Sequence, residues 1–369
     1  MTLAVRPAGA MATTALASFA ARQRRQAALV IAGLVLLCGL LMLVAVGQGA
    51  FSIPPGRVAE ILWARLTGET ALLDGRDALV VLNIRLPRVL LGALVGAALA
   101  ISGALMQGLF RNPLADPGLV GVSAGSGLAA AATIVLGDRL LAGLTMKLPF
   151  AALPFGAFCG GLISTLTLYL IATRQGRTSV ATMLLAGVAL GALAGALTGV
   201  LAFISDDRQL RDLTFWSLGS LGGASWTKLV VIAPIVLPLL LAVPLLARGL
   251  NALMLGEAEA YHLGIPVQRI KALAILLVAL AVGASVASAG VIGFVGIVVP
   301  HLIRLAIGPD HRLLLPLSAL GGATLLVAAD IVARLIVAPA ELPIGIVTAA
   351  LGAPFFLWLL LRRADGLDV

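Results

Sequence analysis

Apolar runs of about twenty residues, separated by short polar stretches, recur along nearly the whole chain. Uncharged segments at about 27–47, 89–110, 117–137, 148–173, 178–205, 229–247 and 342–361 are each long enough to cross a bilayer core of roughly 30 Å as a helix. The segment 313–333 also qualifies, with Asp330 and Arg334 marking its end. The run 272–303 is too long for one span and short for two. Its centre, ASAGVIGFVG (287–296), is rich in glycine and predicts two helices joined by a tight turn near Gly290. The pattern therefore predicts ten spans. Arg22, Arg24 and Arg25 before the first span and Arg362 and Arg363 after the last both read as cytoplasmic. Like-sided ends require an even number of crossings.

Between the spans, the loop 50–87 holds VAEILWARLTG (58–68), whose helical spacing of apolar residues suits a helix lying on the membrane surface. The longest inner loop, 248–271, carries Leu253, Leu255, Ala258, Tyr261, His262 and Leu263 at about helical spacing, with Glu257 and Glu259 facing elsewhere. One or two short amphipathic helices are expected there. Residues 1–25 read as a disordered cytoplasmic extension, 26–363 as a single transmembrane domain and 364–369 as a short tail. The N-terminal arginines directly precede a full-length span, an order unlike that of a cleaved signal peptide. The first span is expected to serve as its own targeting signal.

Composition sharpens the class. The chain is 61% hydrophobic and 11% charged, against about half apolar and about a quarter charged in soluble domains. An all-α polytopic membrane protein is expected. The net charge of +9 bears on topology, because no basic cluster is interleaved with aromatics as nucleic-acid binding would need. Cys38 and Cys159 both sit in apolar segments and read as reduced thiols, either lipid-buried or packing.

The candidate chemistry is sparse. None of Lys147, Lys228 and Lys271 stands in a GxxxxGK[ST] loop, so the chain has no Walker-type phosphate cradle. His262, His301 and His311 are isolated, and neither a catalytic constellation nor a metal site is expected. Uphill transport would need energy from another chain. Gly187, Gly191, Gly195 and Gly199 lay a smooth strip along one helix face, which suits tight helix packing or the wall of a passage. Arg85, Arg88 and Arg334 stand at span ends, Arg334 four residues after Asp330. They suit snorkelling anchors, a local ion pair, or a basic patch for an acidic partner. In FRNPLADPG (110–118), Pro113 and Pro117 forbid a continuous helix and push the residue before each toward extended geometry. Irregular backbone at membrane depth is tolerated only where protein or a water-filled cavity covers it. The stretch is a rigid turn or the inner mouth of a pore.

RLPRVLLGALVGAALAISGALMQGLFRNPLADPGLVGVSAGSG (85–127) closely resembles the permease subunits of ABC importers for iron–siderophores, haem and cobalamin. LLAGVALG (184–191), LRDLTFWSLGSLGG (210–223), ALMLGEAEAYHLG (252–264), GVIGFVGIVVPHLIRL (290–305) and the stretch 310–361 extend the resemblance in the same order. It implies a type II importer permease fold with ten transmembrane helices per subunit, a homodimer, two ATPase subunits that bind ATP and magnesium, and a periplasmic binding protein. It further implies that Arg85, Arg88 and Arg334 dock the binding protein and that Asn112 and Leu114 form a cytoplasmic gate. Leu255, Gly256, Glu257, Leu263 and Gly264 would couple to the ATPase, and the glycine ladder would lie on or near the pore. No cofactor is expected in this chain, and the location implied is a bacterial inner membrane with both termini cytoplasmic. Residues 209–226 and 255–264 look most like haem-importer permeases, with a ferric siderophore and then cobalamin as alternative cargoes. The rival from another class, an ion-coupled secondary transporter, would need ionisable groups near mid-membrane. Asp330 is the only candidate, and it lies near a helix end.

Overall fold

The computed structural model describes residues 8–49, 51–69, 73, 75–140 and 152–364. Its helices are α1 (Ala8–Gly47), α2 (Pro55–Thr67), α3 (Arg76–Phe110, π-helical over Val80–Arg85), α4 (Val122–Leu140), α5 (Ala152–Ala172) and α6 (Val180–Phe203). They continue as α7 (Asp207–Ser217), α8 (Trp226–Leu253), α9 (Glu257–His262), α10 (Val267–Ala289), α11 (Val295–Ile307), α12 (His311–Leu335) and α13 (Ile344–Ala364). Strands β1 (Thr173–Arg174) and β2 (Arg177–Thr178) form one small antiparallel hairpin. Among the described residues, seven helices are long and apolar enough to span a membrane and three more are shorter apolar helices, ten in all.

The run 272–303 divides as its glycines predict. α10 ends at Ala289, Gly290 takes φ +71°, and α11 starts at Val295. A side chain at Gly290 would run into the Trp216 carbonyl, so both the positive φ and the close approach select glycine. α2 covers the surface helix expected in 50–87. The longest inner loop yields one short helix, α9. At the N-terminus the helix reaches back to Ala8, through the stretch expected to be a disordered extension. Its alanine-rich sequence favours helix, and no proline follows Pro7 before the span. The expected tail lies, beyond Ala364, outside the described residues.

The start of α3 meets the last residues of α1 and the end of α12, while its end lies beside Met254 and His311, so the bundle has two ends. The α2 end carries α2, α7 and the last turn of α1. The hairpin end carries β1–β2, α9 and the 110–118 turn. Burial separates centre from rim: 78% of the most apolar window is buried in α3 and in α10, against 17% in α1 and 11% in α6. α3 holds the centre because its small residues let backbones touch. Cβ atoms at Gly96 and Gly103 would collide with the carbonyls of Gly322 on α12 and Gly296 on α11.

Candidate functional site

At the α2 end three arginines converge. Arg88 on α3 pairs with Asp330 of α12 at 2.9 Å and with Glu341 at 2.8 Å. Arg334, one turn after Asp330, pairs with its other carboxylate oxygen at 3.0 Å. Arg334 also donates to the carbonyls of Gln48 (2.8 Å) and Ala45 (3.1 Å), and Arg85 donates to those of Val46 (2.9 Å) and Gly47 (2.7 Å). The Ala45, Val46 and Gly47 carbonyls are the last of α1, left without intrahelical partners and carrying the negative end of the helix dipole, and Gln48 follows directly. The Arg85 guanidinium also stacks 5.2 Å from the Phe51 ring centroid.

The local Arg334–Asp330 pair expected from their four-residue spacing is present, and the fold adds Arg88 and Glu341 to it. Arg85, Arg88 and Arg334 are 5%, 8% and 6% exposed, so they are neither snorkelling anchors nor an open basic patch. The solvent-facing member is Glu341, whose side chain is 44% exposed. Asp330, the one residue that suited an ion-coupled carrier, is held between two cations instead.

At the hairpin end, α3 stops because Arg111 adopts the left-handed conformation (φ +48°, ψ +34°) and Asn112 N–H returns to the Gln107 carbonyl at 3.1 Å. Asn112 Oδ1 then accepts the Leu114 N–H at 3.0 Å, and Asp116 Oδ1 accepts the Gly118 N–H at 2.7 Å, capping a 3-10 turn over Pro117–Val120. Two side-chain-closed turns and two prolines explain why so apolar a chain places polar residues here: they fix a bend that backbone bonding alone would leave loose. Asn112 is exposed and Leu114 half-buried. Beside them lies a cavity of about 220 Å³ lined by Gln107, Gly108, Arg111, Pro113, Met254, Arg304, Pro309 and His311.

A polar clamp next to this cavity was not read from the sequence. Asn251 at the end of α8 accepts the His311 backbone N–H at 2.9 Å and meets its Nδ1 at 2.8 Å, while the Asn251 amide donates to Asp310 at 2.6 Å. Asp310 also caps α12 through the Arg312 N–H at 3.0 Å. Partial burial pushes the Asp310 carboxyl up, but the Arg312 N–H, the Asn251 amide and the Arg312 and His311 charges together hold it below the usual value.

α9 forms a separate surface at the same end. Leu255, Tyr261 and Leu263 are 66%, 74% and 62% exposed, whereas Leu253, spaced with them in sequence, is buried. Gly256 takes φ +132° and ψ +158°, and Gly264 takes φ +77°. These glycines set the entry and exit of α9, and Ala260 is its one buried residue. Glu257, its first residue, bonds Lys271 of α10 at 2.6 Å.

The glycine ladder splits. Gly187 packs against the Leu119 carbonyl, whereas among the described residues nothing lies within 4 Å of where a side chain at Gly191, Gly195 or Gly199 would begin. Tight packing within the subunit accounts for the first alone. Among the described residues no group of three or more His, Cys, Asp or Glu side chains is placed to hold a metal ion.

Ten apolar helices around a small-residue centre, a fixed polar turn at one end, and a short helix flanked by exposed leucines beside it define a polytopic membrane protein. The chain belongs to the FecCD transport family, whose pattern it matches over residues 34–362. It is 48% identical to the hemin transport system permease protein HmuU of Yersinia pestis, over 93% of this chain and 98% of that protein. It is 44% identical to the vitamin B12 import system permease protein BtuC of Klebsiella pneumoniae subsp. pneumoniae, over 92% and 96%. Among solved structures it resembles an inward-facing metal-chelate type ABC transporter, with a TM-score of 0.74 and 33% identity over 89% of this chain and 98% of that one. The fold is that of a type II ABC importer permease.

Proposed function

We propose that the chain is the permease subunit of an ATP-driven importer that carries haem across a bacterial inner membrane. The observation that carries the cargo is the 48% identity to a hemin permease, sustained over 98% of that protein's length. Two copies would form the passage between them, the open glycine face of α6 lining or flanking it. The hairpin end would face the cytoplasm, with both termini. There, Leu255, Tyr261 and Leu263 would fill a cleft of an ATPase subunit, their exposure supporting a protein contact. The ATPase would supply the nucleotide and magnesium chemistry.

In this reading the α2 end faces a periplasmic binding protein. Because Arg88 is buried against a half-exposed Glu341, an incoming carboxylate would compete with Glu341 for the guanidinium. Docking through Arg85, Arg88 and Arg334 then means exchange of partners within a formed cluster. Asn112 and Leu114, on the most constrained turn of the hairpin end, would close the passage on the cytoplasmic side. ATP binding shifts the equilibrium only so far as the ATPase contacts α9 differently in each state.

Cobalamin is the second cargo to test, since the vitamin B12 permease of Klebsiella pneumoniae subsp. pneumoniae is nearly as similar at 44% identity. The experiment is uptake into liposomes by the complex with its ATPase and binding protein, comparing haem, cobalamin and a ferric siderophore. ATP-dependent uptake of haem alone is expected. Uptake of another cargo would overturn the substrate and leave the mechanism, whereas uptake without ATP would overturn the importer itself.

A further inference from the structure

Lys271 lies one turn inside α10 with 1% of its surface exposed, and it heads the large side chains fully buried among the described residues. A buried ammonium persists only where it is paired and hydrogen-bonded. Its Nζ is 2.6 Å from Glu257 Oε1, at the first residue of α9, and donates to the Thr178 carbonyl at 3.0 Å. Gln268, one turn earlier on α10, accepts the Thr178 N–H at 3.0 Å. α10 thus holds both backbone groups of Thr178. The next residue, Ser179, caps α6 by accepting the Thr182 N–H at 3.2 Å.

Three elements therefore meet at one ammonium: the exposed helix α9, the central helix α10, and the hairpin strand that leads into α6. α6 is the least buried of the long spans and bears the open glycines. A well-packed apolar side chain would hold α10 in place at least as well as an ion pair. What the lysine adds is a directional tie from a surface helix to the foot of a rim helix.

We propose that Lys271 is a positioning residue that carries displacement of α9 into α6, linking the ATPase contact to the wall of the passage. The proposal rests on the reading of α9 as that contact, and two measurements keep the two apart. The first uses the complete complex in liposomes and reads haem molecules imported per ATP hydrolysed. Lys271→Met is expected to lower this ratio at least tenfold, and Lys271→Arg to restore it to within threefold of wild type. Glu257→Gln, which keeps an acceptor but loses the charge, is expected to lower it about threefold. A merely structural lysine would reduce uptake and hydrolysis together through loss of assembled complex, and the ratio would hold. An unchanged ratio in Lys271→Met overturns the proposal.

The second measurement needs neither ATPase nor cargo. Spin labels at the exposed positions Arg177 and Tyr261, in the full chain diluted with unlabelled protein in nanodiscs, report the separation of the hairpin from α9. Wild type is expected to give one narrow distance distribution and Lys271→Met a broadened one. Equal widths overturn the tie even if the importer reading fails. A wild-type complex that hydrolyses ATP without importing haem counts against the function, and the spin-label widths then decide the inference alone.

Discussion

Arg334 on α12 donates to the Gln48 carbonyl at 2.8 Å while its Nε holds Asp330 at 3.0 Å, so one guanidinium closes the end of α1 and half-neutralises a buried carboxylate. Arg88 holds the other side of Asp330. Removing the shared carboxylate leaves two buried cations short of a counter-charge. Asp330→Asn is expected to cost about 3 kcal/mol or more. Glu341→Gln, at the solvent-facing rim of the same cluster, is expected to cost under about 1 kcal/mol. Thermal unfolding of the two variants in detergent checks the contrast, and equal losses would mean that the cluster is uniformly solvated.

A second expectation concerns α9. Gly256 stands at φ +132° and ψ +158°, a region open essentially to glycine, and a Cβ there would run into the Glu259 carboxylate. Gly256→Ala is expected to strain the entry to α9 by about 1–3 kcal/mol. The strain is relieved by re-aiming α9, since, among the described residues, the buried Ala260 and the Glu257–Lys271 pair hold it to the core. The helix should then meet its partner in the wrong direction. Binding of the ATPase subunit to the purified permease is expected to weaken at least tenfold while the far-ultraviolet dichroism keeps its helical signal. Unaltered binding would show that Leu255, Tyr261 and Leu263 engage without a fixed approach.

How much of this was legible beforehand follows from which forces act locally. The spans, the break at Gly290 and the polar turn at 110–118 depend on runs of apolar residues, on glycine and on proline, whose effects are felt within a few positions. The partners of Arg88 were not legible, because Asp330 and Glu341 join it only once α3 and α12 pack. The same holds for Lys271, which in sequence is one charge at the start of an apolar run and in the fold is a buried junction. The ladder at 187–199 was ambiguous for a related reason. Spacing puts the glycines on one face, but only the surrounding helices decide that Gly187 is packed and Gly191, Gly195 and Gly199 are open.

A third expectation is a pH effect at the hairpin end. Asp310 has a carboxyl held below its ordinary value of about 3.9. A group whose pKa is lower in the folded state contributes stability above its unfolded pKa and loses it as pH falls through the folded value. Asp310→Asn keeps a side chain able to cap α12 but removes the charge that Arg312 and the Asn251 amide favour. Wild type is expected to have the higher thermal midpoint at pH 7, with the gap closing as pH falls below the ordinary carboxylate value and through the lower folded one. A gap independent of pH would mean that shape, and not charge, makes the clamp on His311.

The last expectation separates the two kinds of glycine that the chain uses. Gly103 lies where α3 crosses α11, and a Cβ there would collide with the Gly296 carbonyl, so Gly103→Ala must move a backbone. Overpacking of this kind is expected to cost about 1–3 kcal/mol. Gly191 and Gly195 face open space, and alanine also suits a helix better than glycine does. Gly191→Ala and Gly195→Ala are therefore expected to leave the thermal midpoint of the isolated chain unchanged or slightly raised. If a second copy closes over this face, a bulky residue has the opposite effect there. Gly195→Trp should then shift native mass spectra from two copies to one while the monomer stays folded. Dimers that survive Gly195→Trp would mean that the open strip faces lipid or the passage and that the copies meet elsewhere.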